Sequence, residues 1–416
     1  MRLNLPKTTG DQQLVKRINR SVLLRLLRSQ PGLSRAQLAS HSGLTKSTVS
    51  LLVRELIEEG WLNEQTVSAS TGTSLTPSQG RPSTPLQINA SARGLIGVEI
   101  AVDCIRVVWV SLLGEVLWSS EVSLASTMPS EACRQTAELV KLAWLEMAHS
   151  GLRLSGVGIG LPGAFDEVTG VVRFAPNLKW RDVDFLTQIT DALALASVPP
   201  VNIHIQNEAD TAALSEYEFA SGESESSLIF VNCDVGVGAG IVLNDRLFTG
   251  AQGMAGEIGH TILQMDGPVC SCGRRGCAEV FIGARGLDGQ ASSAGTRVEQ
   301  AGHYLGVLMQ NLWTSFNPHV LVAGGPYCIR HPAMIQTARQ TLLAYSRATH
   351  MLAPTIRPAR YGMLASAVGA AALVLHQYLR PMHRAVQRTE PTKKSVDVAV
   401  AERPAHASRE SVAAEP

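Results

Sequence analysis

Gly256-Glu257-Ile258-Gly259-His260, followed by Cys270-Ser271-Cys272 and then Cys277-Ala278-Glu279, is the stretch on which the reading of this chain turns. Its spacing is His260-x9-Cys270-x-Cys272-x4-Cys277. Three thiolates and one imidazole make a closed tetrahedral zinc set, so the metal is expected to be structural, with no open position for catalysis. The plain alternative is a group of free buried cysteines. Three within eight residues, flanked by Gly273, Gly276 and two arginines, do not resemble a core. Seven cysteines are an odd number, and their clustering favours metal over disulfide in a reducing compartment. Cys104, Cys133, Cys233 and Cys328 lie apart in apolar runs and read as packing residues.

A metal held by one ring nitrogen of His260 fixes the other as a hydrogen-bond donor. A donor locked in that way suits a sugar hydroxyl. Glu257 and Glu279 bracket the cluster, and carboxylates accept from paired hydroxyls. Either glutamate alone would read as a surface charge; together with His260 they suggest a polyol site organised by the metal loop.

The amino-terminal end carries a different signature. Leu33-Ser34-Arg35-Ala36-Gln37-Leu38-Ala39 is followed by Gly43-Leu44-Thr45-Lys46-Ser47-Thr48-Val49-Ser50. Ser34 is a good N-cap for a short helix running through Ser40. His41 to Leu44 supply a turn, with Gly43 where a positive φ is tolerated. Thr45 then caps a second helix whose apolar face is Val49, Leu52, Val53 and Leu56. Arg35, Thr45, Lys46, Ser47, Thr48 and Ser50 are the expected contacts to double-stranded DNA, at the start of a recognition helix. An ordinary helical hairpin is the bland reading; the ordered caps and polar leading face argue against it. Residues 66–85 are rich in Ser, Thr, Pro and Gly. They fit either a linker or a wing, and Arg81 in Gly80-Arg81-Pro82 would then enter a minor groove.

Composition agrees with this division. At 416 residues, 45% apolar and 17% charged, the chain is globular and large enough for two or three domains. The net charge of +1 hides a basic end: residues 1–62 hold ten Lys/Arg against four Asp/Glu. Such an end suits DNA phosphate, although charge alone fits a solvated basic face equally well. No secretory leader is recognisable, and the apolar run from Leu364 to Leu375 is too short to span a bilayer, so a cytoplasmic, nucleoid-associated protein is expected. Strand-like runs at Leu95–Ile100, Ile105–Leu112 and Val116–Val122 precede a helix near Ser130–His149. The alternation restarts at Leu228–Val231 and Ala239–Leu243, and later at His319–Ala323. Strands interleaved with long helices imply an α/β body of two lobes. The reading is three segments: a winged helix-turn-helix over 1–90, a sugar-binding and oligomerisation body over 91–381, and a disordered tail over 382–416.

These features, in this order, resemble the ROK family (repressors, open reading frames, kinases) over about residues 13 to 380. The resemblance is carried by Gly158-Ile159-Gly160-Leu161-Pro162-Gly163, Ala175-Pro176-Asn177-Leu178, Gly256 to His260, the cysteine cluster, and Asn317-Pro318 followed by Val322-Ala323-Gly324-Gly325. It implies an actin-like, sugar-kinase fold of two α/β lobes around a cleft, with the amino-terminal winged helix of the family's repressor branch. By motif it implies sugar contacts at Asn177, Asn207, Glu208, Glu257, His260 and Glu279, and zinc on His260, Cys270, Cys272 and Cys277.

The departures from the family pattern concern phosphate. The kinases' Asp-x-Gly-x-Thr loop is Glu99-Ile100-Ala101-Val102-Asp103 here, and their Gly-Thr-Gly-x-Gly loop is Asp234-Val235-Gly236-Val237-Gly238. Ala101 narrows the backbone approach, and Asp103 and Asp234 repel phosphate. The catalytic Asp after Asn is Glu208. The expectation is therefore a sugar-responsive transcriptional regulator without kinase activity, acting as a homodimer or homotetramer on a palindromic operator. Glu99 and Asn207-Glu208 resemble the xylose-repressor branch. The enzyme alternative is an ATP-dependent sugar kinase with a DNA-binding appendage.

Overall fold

The computed structural model describes residues 12–65, 84–167, 169–220, 227–288 and 294–381. Arg81, the tip of the wing segment and the tail over 382–416 lie outside them.

The head begins with α1 (Gln12–Ser29), α2 (Arg35–Ser42) and α3 (Lys46–Glu58). Ser34 caps α2 in a full capping box with Gln37, and the helix runs two residues beyond Ser40. Gly43 ends it at φ 70°, a conformation that costs a residue without a Cβ little. Thr45 caps α3 by accepting from the Thr48 amide. Val49, Leu52, Val53 and Leu56 are buried at helical spacing. β1 (Leu62–Glu64) and β2 (Leu86–Ile88) pair antiparallel, Leu62 opposite Ile88. The Ser/Thr/Pro/Gly segment therefore joins the two strands of a wing stem.

The body contains one topology twice. In the first lobe, β3 (Arg93–Ile100), β4 (Cys104–Ser111) and β5 (Val116–Ser123) form an antiparallel meander. After α4 (Pro129–His149), β6 (Arg153–Leu161) pairs parallel with β3. A small antiparallel sheet follows, made of β7 (Ala164–Asp166), β8 (Val171–Ala175) and β9 (Trp180–Asp184). Then α5 (Phe185–Leu195) leads to β10 (Ile203–Asn207), parallel to β6, and α6 (Glu208–Glu218). The second lobe repeats the meander as β11 (Leu228–Cys233), β12 (Val237–Leu243) and β13 (Arg246–Leu247). After α7 (Glu279–Ile282), α8 (Ala284–Leu287) and α9 (Ala294–Phe316), β14 (Val320–Gly324) pairs parallel with β11. After α10 (Pro326–Arg330) and α11 (Pro332–Thr349), β15 (Thr355–Pro358) pairs parallel with β14. The sheet orders are β10-β6-β3-β4-β5 and β13-β12-β11-β14-β15. In each, two parallel strands are added on the far side of the meander's first strand.

α12 (Ala365–Leu379) and α6 pack together between the two sheets. Close approach requires glycine. A Cβ on Gly97 or Gly158, neighbours on β3 and β6, would lie 1.9 or 1.7 Å from a carbonyl oxygen of α12. Among the described residues, Gly362–Leu379 is the one helical stretch apolar and long enough to cross a membrane; 72% of it is buried inside the protein. Cys104, Cys133, Cys233 and Cys328 are buried as packing residues. The head's core (Leu23, Leu38, Val49, Leu56, Trp61) is continuous with the core around α6 and α12, so head and body share one apolar interior.

Candidate DNA reader, metal centre and acidic cleft

Lys46, Ser47 and Ser50 are exposed at the start of α3, and Thr48 is half-buried. The Thr45 hydroxyl is shared with those of Ser47 and Thr48, at 2.9 and 2.8 Å. Arg35 is not free: its Nη1 lies 2.7 Å from Glu64 of the wing stem. A phosphate contact by Arg35 would compete with that exposed pair, which contributes about 1 kcal/mol or less. Lys46→Ala is expected to weaken DNA binding and reduce the slope of log K against log salt by about one. An unchanged slope would remove Lys46 from the phosphate contacts.

The four metal-ligand candidates converge. One ligand atom from each of His260, Cys270, Cys272 and Cys277 lies within 4.8 Å of every other. His260 Nδ1 is 3.7 Å from Cys270 Sγ, and Cys272 Sγ is 3.7 Å from Cys277 Sγ. Zinc–sulfur bonds of about 2.3 Å in a tetrahedron place sulfurs about 3.8 Å apart. The donor set and its edges therefore fit zinc. The Arg274 amide and guanidinium stabilise a thiolate on Cys272 and bring its pKa down to about 6. Burial and the neighbouring sulfurs push Cys277 up to about 12. A bound cation would take these thiols as thiolates, so its binding would release protons. The loop is held by isolated bridges, Ile262 with Cys277 and Val269 with Arg275. Gly276 is indispensable, because a Cβ there would sit 1.5 Å from the Gln264 carbonyl oxygen.

The metal loop borders the cleft. Glu279 Oε1 accepts from Ser271 Oγ at 3.2 Å and from Cys270 Sγ at 3.7 Å. Its other oxygen would lie 3.2 Å from a Cβ built on Gly236 in the second ancestral phosphate loop. Asn207 ends β10 and caps α6, accepting from the Ala209 amide and donating to the Gly163 carbonyl. Glu208 is the first residue of α6. Glu257 precedes the one-turn helix Ile258–His260. Asn177 is exposed on the turn Pro176–Leu178 at the rim of the small sheet.

Sequence reasoning missed the ion triad across β3, β4 and β5. Arg106 lies opposite both Glu99 and Glu121, and binds them at 3.0 and 2.6 Å. The alternating register of three adjacent strands was the available signal. Carboxylates otherwise dominate this cleft. Burial lifts Glu99 to about 7 against the opposing pull of Arg106. Burial, then Glu99, Asp234 and Glu257, lift Glu208 to about 8. Asp234 and Glu257 are raised as well, chiefly by burial. Carboxyl groups accept from, and when protonated donate to, hydroxyls, and in their ionised form they repel phosphate.

Fold and site together define a class of protein: a body of two duplicated α/β lobes around an acidic cleft, fronted by a winged helix-turn-helix head. The sequence matches the ROK family over residues 95–377 and the IclR helix-turn-helix domain over residues 21–66. The chain belongs to the ROK family. It is 29% identical to the xylose repressor of Bacillus subtilis over 392 residues, covering 89% of this chain and 98% of that one. Its fold matches a ROK family transcriptional regulator described as a homolog of the E. coli MLC protein, with TM-score 0.70 at 22% identity, over 88% of this chain and 97% of that one. It also matches a ROK family glucokinase from Streptomyces griseus in complex with glucose and AMPPNP, with TM-score 0.57 at 23% identity, over 67% and 98%. The kinase match covers a smaller share of this chain than the regulator match does.

Proposed function

We propose that this protein is a DNA-binding transcriptional repressor of carbohydrate uptake or catabolism genes, released from its operator when a small sugar enters the cleft. The observation that carries the reading is the pairing of an exposed, capped recognition helix with a cleft whose phosphate loops hold Asp103 and Asp234 beside Glu99 and Glu208. The name of the Bacillus subtilis relative makes D-xylose the first sugar to test. Arg35, Thr45, Lys46, Ser47, Thr48, Ser50 and Arg81 face DNA in this reading. Asn177, Asn207, Glu208, Glu257, His260 and Glu279 hold the sugar. Zinc on His260, Cys270, Cys272 and Cys277 supplies structural cross-linking of the loop. With Nδ1 turned to the cluster, Nε2 of His260 is the nitrogen left to donate to a hydroxyl. The protein acts in the cytoplasm as a homodimer or homotetramer, so that paired readers meet half-sites about one helical turn apart.

The sugar changes DNA affinity only to the extent that it prefers one arrangement of the lobes. A tenfold preference corresponds to about 1.4 kcal/mol, within the usual range of coupling energies.

The match to a glucokinase fold keeps an ATP-dependent sugar kinase as the second reading. Two features oppose it. Carboxylates occupy both phosphate loops, where Asp103 and Asp234 oppose phosphate, and the residue after Asn207 is Glu208 where the kinases carry Asp. Incubation with ATP, magnesium and a panel of D-xylose, D-glucose and N-acetylglucosamine is expected to give no turnover above background. Sustained ADP release dependent on one sugar would establish the kinase instead.

A further inference from the structure

Besides the shared apolar core, the head is tied to the body at two polar anchors. At the first, Arg93 Nε and Arg153 Nη2 both donate to the Glu59 carbonyl, at 2.7 and 2.5 Å. They cap the carboxyl end of the recognition helix, where cations meet unpaired carbonyls and the negative end of the dipole. Both arginines stand at the starts of strands β3 and β6 of the first lobe.

At the second anchor, Arg28 of α1 binds Glu218 Oε2 at 2.7 Å. Glu218 is the last residue of α6 and 3% exposed. Its other oxygen accepts from His376 Nδ1 and Arg380 Nη1, each at 2.6 Å, at the end of α12. Arg380 Nε also donates to the Asp245 carbonyl at 2.8 Å, in the turn between β12 and β13 of the second lobe. Burial alone would raise the Glu218 carboxyl, but the His376 hydrogen bond and the Arg28 and Arg380 guanidiniums hold it well below the usual carboxylate range.

The two anchors therefore belong to different parts of the body. One follows the first-lobe sheet. The other follows the two helices between the lobes and a turn of the second lobe. α6 itself starts at Asn207-Glu208 in the cleft and ends at Glu218, eleven residues and about 15 Å away. Within the head, Lys16–Glu55 and Arg20–Glu59 ion pairs staple α1 to α3, so the head answers as one piece.

We propose that Glu218 is the relay between cleft and DNA reader: its grip on Arg28 ties the head to α6, α12 and the second lobe, so that a change in lobe angle reorients the head against its Arg93–Arg153 anchor. This rests on the sugar-switch reading above. A contact that only stabilised the fold would be served at least as well by apolar side chains, without the desolvation of four ionisable groups. A carboxylate shared by two guanidiniums and an imidazole is instead sensitive to small displacements of any one of them.

The test uses the full chain, a DNA duplex selected from a random pool by the unmodified protein, and D-xylose, D-glucose and N-acetylglucosamine as sugar probes. In the unmodified chain the bound sugar is expected to shift DNA affinity tenfold or more. Arg28→Met leaves Glu218 hydrogen-bonded to His376 and Arg380 and should fold. It is expected to bind sugar within threefold of the unmodified chain, while its DNA affinity changes less than twofold on sugar addition. Arg28→Lys, which keeps a cation in reach, should recover part of the response. A full response in Arg28→Met would overturn the relay while leaving the sugar switch intact. Absence of any response in the unmodified chain would overturn both. Hydrogen exchange provides a check that needs no variant: sugar should alter protection at the ends of α1 and α6, and unchanged protection there under sugar saturation would also overturn the relay.

Discussion

Cys277→Ser is expected to abolish sugar binding and to release the zinc that the unmodified chain should carry at one per chain. The expectation follows from how little else holds residues 260–279. The local apolar cluster is Cys270, Cys277 and Val280, with Phe281 packed against it. Met265, Ile262 and Val269 are exposed. A loop with so small a core depends on its metal, and structural zinc in small domains supplies on the order of 10 kcal/mol. Because Glu279 is hydrogen-bonded to Ser271 and His260 is itself a ligand, loss of the metal dismantles one wall of the cleft. The head and first lobe do not depend on the loop, so a two-step unfolding profile is expected, with DNA binding retained and sugar response lost. Metal analysis with calorimetric sugar titration checks this. A Cys277→Ser protein that binds sugar normally without zinc would refute the structural role.

The second large effect concerns pH. Glu99 and Glu208 have folded-state pKa values raised to about 7 and about 8, mainly by burial. For acids raised in the folded state, the linked stability is present below the unfolded pKa of about 4.5 and is lost as pH rises through the folded value. The sugar-free protein is therefore expected to lose stability between about pH 5 and pH 8. Glu208→Gln, which cannot ionise, should be more stable than the unmodified chain at pH 8 by about 2–4 kcal/mol, at about 1.4 kcal/mol per pKa unit. At pH 5 the two should be nearly equal. Denaturant titrations at both values measure the difference. Equal stabilities at pH 8 would show that Glu208 is not held against other carboxylates. Such a cost, kept at one site, is the usual mark of a residue retained for binding instead of stability.

How much of this was legible in the sequence depended on sequence distance. Ser34, Gly43 and Thr45 could be read because capping is local, and the structure uses each as expected. The convergence of His260, Cys270, Cys272 and Cys277 was equally readable, since the four lie close in the chain. The boundary of α2 was placed two residues short, because a capping box fixes where a helix starts and says less about where it stops. Residues 66–85 stayed ambiguous between linker and wing until the pairing of Leu62–Glu64 with Leu86–Ile88 was visible. Glu257, His260 and Glu279 are suggested as sugar contacts by the loop itself, whereas Asn177, Asn207 and Glu208 are suggested only by family resemblance, because they lie far from that loop in the chain. The Arg28–Glu218 contact spans 190 positions and His376–Glu218 spans 158; no periodicity or motif announces such pairs. Nor did the sequence show that Arg35 is engaged by Glu64, since that contact depends on the wing stem folding back beside α2.

The most direct measurement is a reciprocal titration of the full-length protein with D-xylose and with the selected DNA duplex, extended to D-glucose and N-acetylglucosamine. If the cleft reports its occupancy to the head, one sugar will weaken DNA binding at least tenfold, and saturating DNA will weaken binding of that sugar by the same factor. A sugar that binds tightly while leaving DNA affinity unchanged, in both directions, would contradict the account.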